Sequence, residues 1–352
     1  MESPHYSYAD VFLKPAYSDF YTRAQASAWT NFGGKRFRLP AIPANMKCVI
    51  DEEKAKWLSE NDYFYIMHRF GKAGRISPTH VFTDNCNFVN RANLEKWKTI
   101  SVSIGVQRDD KDFLEYCQGS NFRLDFITVD IAHGHSIRMK EMLNYLRIHH
   151  ADSFVIAGNV ATPEAVSDLV SWGAQAVKVG IAHGSACTTY GKTGFGIPMF
   201  SNILECVHGN YSKNLCIPII ADGGVRTNGD FAKAIAAGAT MVMAGGIFAA
   251  CEDSPAENVY EKEIYTDYIN GDKNLPVMRD RDGKITHKKY YGSASTFNKH
   301  SEHHIEGTMC LLPCNGMTYK KKLEEITEDF QSSISYAGGD LRFTKWGVRY
   351  SQ

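Results

Sequence analysis

The chain has 352 residues, and its 39 basic and 39 acidic side chains give a formal net charge of zero. Basic and acidic residues are interspersed rather than gathered into the basic stripe that nucleic-acid binding needs, so no nucleic acid is expected as a partner. No apolar run nears the roughly 18 residues of a membrane span, the first residues lack the layout of a secretory signal, and 43% apolar content argues against disorder. A folded, soluble, cytoplasmic chain is expected, either one large barrel or two average domains.

Apolar, β-branched runs recur at 39–44, 63–67, 99–105, 126–130, 154–159, 176–180, 218–222 and 241–246. Runs such as FITVD (126–130) are apolar at successive positions, as parallel strands covered on both faces are. The stretches between them read as helices. PEAVSDLVSW (163–172) follows a Thr162 cap, opens on proline and stops before Gly173. DFAKAIAA (230–237) repeats the design before Gly238. This alternation predicts an α/β fold, a single-domain (β/α)8 TIM barrel over 1–352, and weighs against a doubly wound open sheet.

Asn45, Asp130, Asn159, Gly180, Asp222–Gly224 and Gly245–Gly246 all fall at strand C-terminal ends, the face on which barrels bind substrates. Two segments break the repeat. Residues 185–201, rich in Gly, Thr and Ser, read as a mobile catalytic loop, and 252–304 as a long lid or flap inserted after the eighth strand. The nine cysteines include no CxxC pair, so reduced thiols are the default.

Three groups could carry chemistry. Cys187, in GSACTT (184–189), is a candidate nucleophile, although an ordinary loop cysteine fits the composition as well. ADGG (221–224) and AGG (244–246) could take a phosphate after strands seven and eight, with Asp222 on ribose hydroxyls, or could merely permit tight turns. Glu306 could relay a proton or lie on the surface. No GxxxxGK[ST] or HExxH pattern occurs, so neither a Walker-type site nor zinc is expected.

These residues stand in longer segments: PANM (43–46), YFYIMHRF (63–70), DIAHGHS (130–136), IAGNVATPEAV (156–166), VKVGIAHGSACTT (177–189), IIADGGVRTNGD (219–230), GATMVMAGGIFA (238–249), YGSAS (291–295) and QSSISYAGG (331–339). Together they resemble the IMP dehydrogenase/GMP reductase family, on its GMP reductase branch, from Tyr8 to Gly339.

The resemblance implies NADPH-dependent reductive deamination of GMP to IMP and ammonia, in a protein commonly a homotetramer. Cys187 matches the nucleophile that forms a thioimidate at purine C2, and Thr189 and Glu306 match the proton relay to departing ammonia. Asp222, Gly223, Gly224, Gly245 and Gly246 match the nucleotide site, closed over by Gly292, Ser293, Ala294 and Gly307. Asp130, Ile131 and Ala132 match cofactor-contacting positions, and Thr22, Arg23 and Arg69 do so more loosely.

The family's glycine–any–glycine pattern before the cysteine, where carbonyls such as those of Gly184 and Cys187 hold a potassium ion, is here Ala182-His183-Gly184. Tyr190 stands where some relatives have arginine, and 256–290 is longer than expected. IMP dehydrogenase, the nearest alternative, usually carries a regulatory module after the second strand, and residues 68–98 leave no room for one. It also uses an arginine–tyrosine pair to activate water, and the adjacent pair here is Arg349-Tyr350. A non-catalytic nucleotide-binding barrel would be marked by loss of Cys187, Thr189 or Glu306, and all three are present.

Overall fold

The apolar runs pair side by side, as strands buried on both faces must. The structure is a computed structural model and describes residues 5–71, 78–261, 284–299, 303 and 305–349. Its strands are, in chain order, β1 (Val11–Leu13), β2 (Thr30–Phe32), β3 (Lys35–Phe37), β4 (Ala41–Pro43), β5 (Ser101–Ile104), β6 (Phe126–Asp130) and β7 (Phe154–Val160). There follow β8 (Ala176–Val179), β9 (Ile219–Asp222), β10 (Met241–Ala244), β11 (Asn258–Tyr260), β12 (Ile285–Tyr291), β13 (Met309–Pro313) and β14 (Trp346–Val348).

Seven of these form one parallel sheet in the order β4-β10-β9-β8-β7-β6-β5. Each successive strand lies beside its predecessor, and β4 returns to pair with β10, the circular order of a TIM barrel. Every residue of β5, β8 and β10 is buried.

The expected second strand, 63–67, does not form a ladder. Its segment sits in the gap between β4 and β5, joined to β5 by a parallel bridge from Met67 to Val102 and towards β4 by Arg38 N–H donating to the Asp62 carbonyl at 2.9 Å. Side chains take the place of the missing bonds. The Thr99 carbonyl accepts from Ser59 Oγ at 3.0 Å and from the Tyr65 hydroxyl at 2.9 Å, while Thr99 N–H donates to Ser59 Oγ at 2.9 Å. Buried backbone groups need partners but not strand partners, and here they have found others.

Helices separate the strands. Pro163–Trp172 begins as expected, with Thr162 Oγ1 accepting from Ala165 N–H at 3.2 Å. The helix expected at 230–237 runs instead over Asn228–Ala236, because the Asp230 carboxylate caps it from inside, accepting from Thr227 N–H at 2.9 Å. The 185–201 stretch is not loop throughout. It holds the short helix Thr189–Thr193, and its last residues open the helix Met199–Ser212, where Met199 and Phe200 are buried. Within the expected lid 252–304, β11 and β12 join β13 in a three-stranded antiparallel sheet, and residues 262–283, 300–302 and 304 lie outside the described residues.

At the strand N-terminal ends the β2–β3 hairpin closes the barrel. Phe32 and Phe37 pack on Phe64, Phe126 and Phe154 with ring centroids 5.0–6.3 Å apart. Gly33 turns the hairpin at φ +55°, and a Cβ there would strike the Phe126 ring. Far along the chain, β1 pairs antiparallel with β14. Among the described residues no helix is long and apolar enough to cross a membrane.

Candidate active site

Past β8 the chain turns at Gly180 (φ +147°), where a Cβ would collide with the Asp222 carbonyl, so only glycine fits. Ala182 follows at φ +72°. That left-handed conformation costs a non-glycine residue about 1–2 kcal/mol, whereas a glycine would adopt it freely.

The loop then meets the segment returning from the flap. Thr188 N–H donates to the Glu306 carbonyl at 2.9 Å, and Thr308 N–H donates to the Ala186 carbonyl at 2.8 Å, bridging Cys187 to Gly307 antiparallel. Glu306 N–H donates to the Ala294 carbonyl at 3.1 Å, which ties in the 292–295 turn. Lys192 Nζ adds a bond to the Ile305 carbonyl at 2.6 Å.

This pairing sets three side chains in line. The Cys187 thiol donates to Thr189 Oγ1 at 3.1 Å, and the Thr189 hydroxyl donates to Glu306 Oε2 at 2.9 Å. A thiol proton therefore has a two-step route to a carboxylate.

Beneath them the barrel lumen holds a charged network. Lys178 Nζ lies 2.6 Å from Asp222 Oδ2 and 3.2 Å from Asp130 Oδ1. Asn159 Nδ2 donates to Asp222 Oδ2 at 2.9 Å and to the Gly180 carbonyl at 2.6 Å, and Asn45 Nδ2 donates to Asp130 Oδ2 at 2.6 Å. Burial alone would favour neutral lysine, but Asp130 and Asp222 outweigh it and hold the ammonium pKa above its ordinary value. Burial likewise opposes ionised Asp130, yet Lys178, Asn45 and Arg69 bring its pKa below the usual carboxylate range. His183 Nε2 donates to the Ile197 carbonyl, and burial lowers its pKa.

A cavity of about 210 Å³ opens above this network. Cys187, Thr189, Glu306, Asp222, Gly223, Gly184, Gly245, Gly292, Ser293, Ala294, Gly307 and Ala132 all line it. Gly224 and Gly246 adjoin it in the chain. A second cavity of about 560 Å³ shares Ala132, Ile181, Thr189 and Glu306 with the first and extends along His133, His135, Thr162 and Phe195. The relay thus stands at the junction of two spaces.

Other candidates lie apart. Asp130 is turned into the lumen network, and Ile131 is held by backbone bonds to Gly158 and Asn159. Arg69 covers the Phe70 ring at 4.8 Å. Thr22 caps the turn Arg23–Gln25, and the Arg23 guanidinium bonds the Tyr336 hydroxyl at 2.9 Å on the last long helix, so neither lines either cavity. A larger cavity of about 640 Å³, lined by Lys47, Asp51, His68 and Trp97 among others, contains none of the sequence candidates. No group of three or more His, Cys, Asp or Glu that could hold a metal ion occurs among the described residues.

Sequence reasoning missed Lys178, Tyr290 and His183. Tyr290, 3% exposed, reaches the first cavity from β12. For Lys178 a signal existed: a lysine inside AVKVG, an otherwise apolar strand.

The family model described as IMP dehydrogenase / GMP reductase domain matches residues 5–341. A GMP reductase of Delftia acidovorans is 42% identical over 336 residues, covering 95% of this chain and 91% of its own. GMP reductases of Staphylococcus carnosus and Staphylococcus aureus are each 41% identical, covering 95% and 96% of this chain and 92% and 93% of theirs.

Proposed function

The chain belongs to the IMP dehydrogenase / GMP reductase family of oxidoreductases, and we propose that it converts GMP to IMP and ammonia at the expense of NADPH. The observation that carries this reading is the Cys187–Thr189–Glu306 line at the junction of the two cavities.

The nucleotide occupies the smaller cavity. Its phosphate meets the backbone around Gly223, Gly224, Gly245 and Gly246, its ribose meets Asp222, and Gly292, Ser293, Ala294 and Gly307 cover it. Cys187 adds to C2 as its proton passes to Thr189 and Glu306, and the C2=N electron pair moves onto the ring nitrogen. Glu306 returns a proton to the exocyclic amino group, the C2–N bond breaks, and ammonia leaves a thioimidate on Cys187. NADPH, when bound in the adjoining cavity, would supply the hydride that C2 needs. As C2 is reduced, Cys187 departs as the leaving group, and Glu306 and Thr189 pass its thiolate a proton taken up from solvent.

The adjoining cavity meets the relay at Thr189 and Glu306, and Ala132, His133, His135, Thr162 and Phe195 would hold the nicotinamide end of such a cofactor there. Asp130 and Ile131 support that wall from behind, and Arg69 stands beside Asp130. Thr22 and Arg23 can serve a cofactor only from another copy of the chain, which a homotetramer would allow. The Gly184 carbonyl accepts from Cys187 N–H at 2.9 Å and keeps a second lone pair that could face potassium.

The test is incubation with GMP and NADPH. Loss of NADPH absorbance with appearance of IMP is expected. NAD reduction with IMP, and no reaction with GMP, would show the dehydrogenase activity instead. Cys187→Ala should abolish turnover while GMP still binds, and normal turnover by this variant would rule out the covalent route.

A further inference from the structure

The mechanism leaves one buried charge without a task. Lys178 is 2% exposed, in a strand whose other residues are apolar. It is not needed to hold the sheet, since a buried ion pair is often no more stabilising than an apolar side chain of similar volume.

Its partners say more. They come from strands on either side, Asp130 at the end of β6 and Asp222 at the end of β9. Both protein bonds to Asp222, from Lys178 at 2.6 Å and Asn159 at 2.9 Å, converge on Oδ2. Asp222 also lines the smaller cavity, so its other oxygen is the one left for a ligand.

We propose that Lys178 is a positioning residue for the nucleotide, balancing the charge of Asp130 and Asp222 and holding Asp222 turned so that Oδ1 accepts the ribose hydroxyls. The proposal rests on the reading that Asp222 takes the ribose. The charge balance is simple: one ammonium stands between two carboxylates. Without it, two like charges would share a water-poor lumen, and the molecule's least costly response is to keep one proton on the pair.

Other groups facing the pair do not substitute. Arg69 acts on Asp130 from the segment in the barrel gap, and Asn45 and Asn159 are neutral. Tyr8 and Tyr290, whose fields Asp222 shares with Asp230 and Cys187, are kept neutral by burial.

Lys178→Met tests this directly. The affinity for GMP should become pH-dependent, because a protonated Asp222 is a poorer acceptor. The ratio of variant to parent KM, or of Kd by calorimetry, should fall by up to about tenfold across the pH range over which that proton is lost, the effect of about one pK unit of coupling between the proton and the nucleotide. An infrared pH-difference spectrum of the variant should show a protonated carboxyl band that the parent lacks in the same range.

Adding Asp130→Asn removes the repulsion and should flatten the ratio, and Lys178→Arg, which keeps the charge, should flatten it too. Lys178→Gln carries the same expectation as Lys178→Met where the latter does not fold. A ratio constant with pH in the neutral variants, even with lowered thermal stability, would overturn the proposal and leave Lys178 a packing residue. A parent that binds no GMP would instead overturn the functional reading, and the ribose role with it.

Discussion

Glu306 accepts from Thr189, which in turn accepts from Cys187, so under the proposed reaction its value lies in taking and returning a proton. Glu306→Gln keeps the shape and an oxygen for the Thr189 hydroxyl but cannot exchange that proton. We expect kcat to fall by on the order of 10²–10⁴, the usual contribution of a general acid or base, with GMP affinity nearly unchanged. Single-turnover ammonia release checks it, and an unchanged rate would remove Glu306 from the relay. His68 has a different consequence. It accepts from Phe70 N–H at 3.3 Å, and burial, with Lys47 adding to it, pushes its imidazole down to about 3. The unfolded chain would bind that proton from about pH 6.5 downward, so stability present above this range is lost as pH falls toward 3, at up to about 1.4 kcal/mol per unit. Denaturant unfolding at about pH 7 and pH 5 should differ by up to about 2 kcal/mol on this account. His68→Gln should shrink the difference by that amount, and an undiminished difference would assign the acid sensitivity elsewhere.

At the scale of elements, the segment 63–67 is held where a strand would be by side chains. Ser59 both donates to and accepts from Thr99, and both residues are buried. Ser59→Ala leaves a buried N–H without its acceptor, a loss of about 1–3 kcal/mol. Urea unfolding measures it, and a loss below about 0.5 kcal/mol would mean that other groups close the gap. The same residues mark where the sequence stops being legible. Phe126–Asp130 and Ala176–Val179 could be read as strands because burial on both faces makes every position apolar. Tyr63 to Ile66 are just as buried, so the run looked identical; what differs is the partner of each backbone group, which composition does not record. The Cys187, Asp222 and Glu306 segments were recognisable as motifs, and one cavity gathers them. Lys178 stood out in the sequence as a lysine in an apolar strand, but its partners did not, because Asp130 and Asp222 lie on other strands and only the fold brings the three together. Ala182 was legible as a departure from the family pattern, and it takes the left-handed conformation at φ +72°.

Taken whole, the molecule separates an end that holds it together from an end that carries the candidate site, as barrels do. Phe32, 2% exposed, sits in the aromatic cluster at the strand N-terminal ends, while both shared cavities lie at the opposite end. Phe32→Leu should therefore cost about 1–2 kcal/mol of stability through lost packing and leave the KM for GMP within about twofold of the parent, well inside the tenfold that 1.4 kcal/mol would bring. Parallel unfolding and steady-state measurements check both, and a large change in KM would mean that the two ends are mechanically coupled.

That aromatic floor also governs traffic. A barrel shut by packed rings at one end exchanges its ligands at the other, so whatever enters beside Cys187 leaves from that same end. Under the proposed reaction the smallest product forms where Thr189 and Glu306 face both cavities. Ammonia then has to slip out past the space its co-reactant uses, while IMP waits behind the 292–295 turn. The order of departure is thus a matter of queueing, set by which occupant stands nearest the opening.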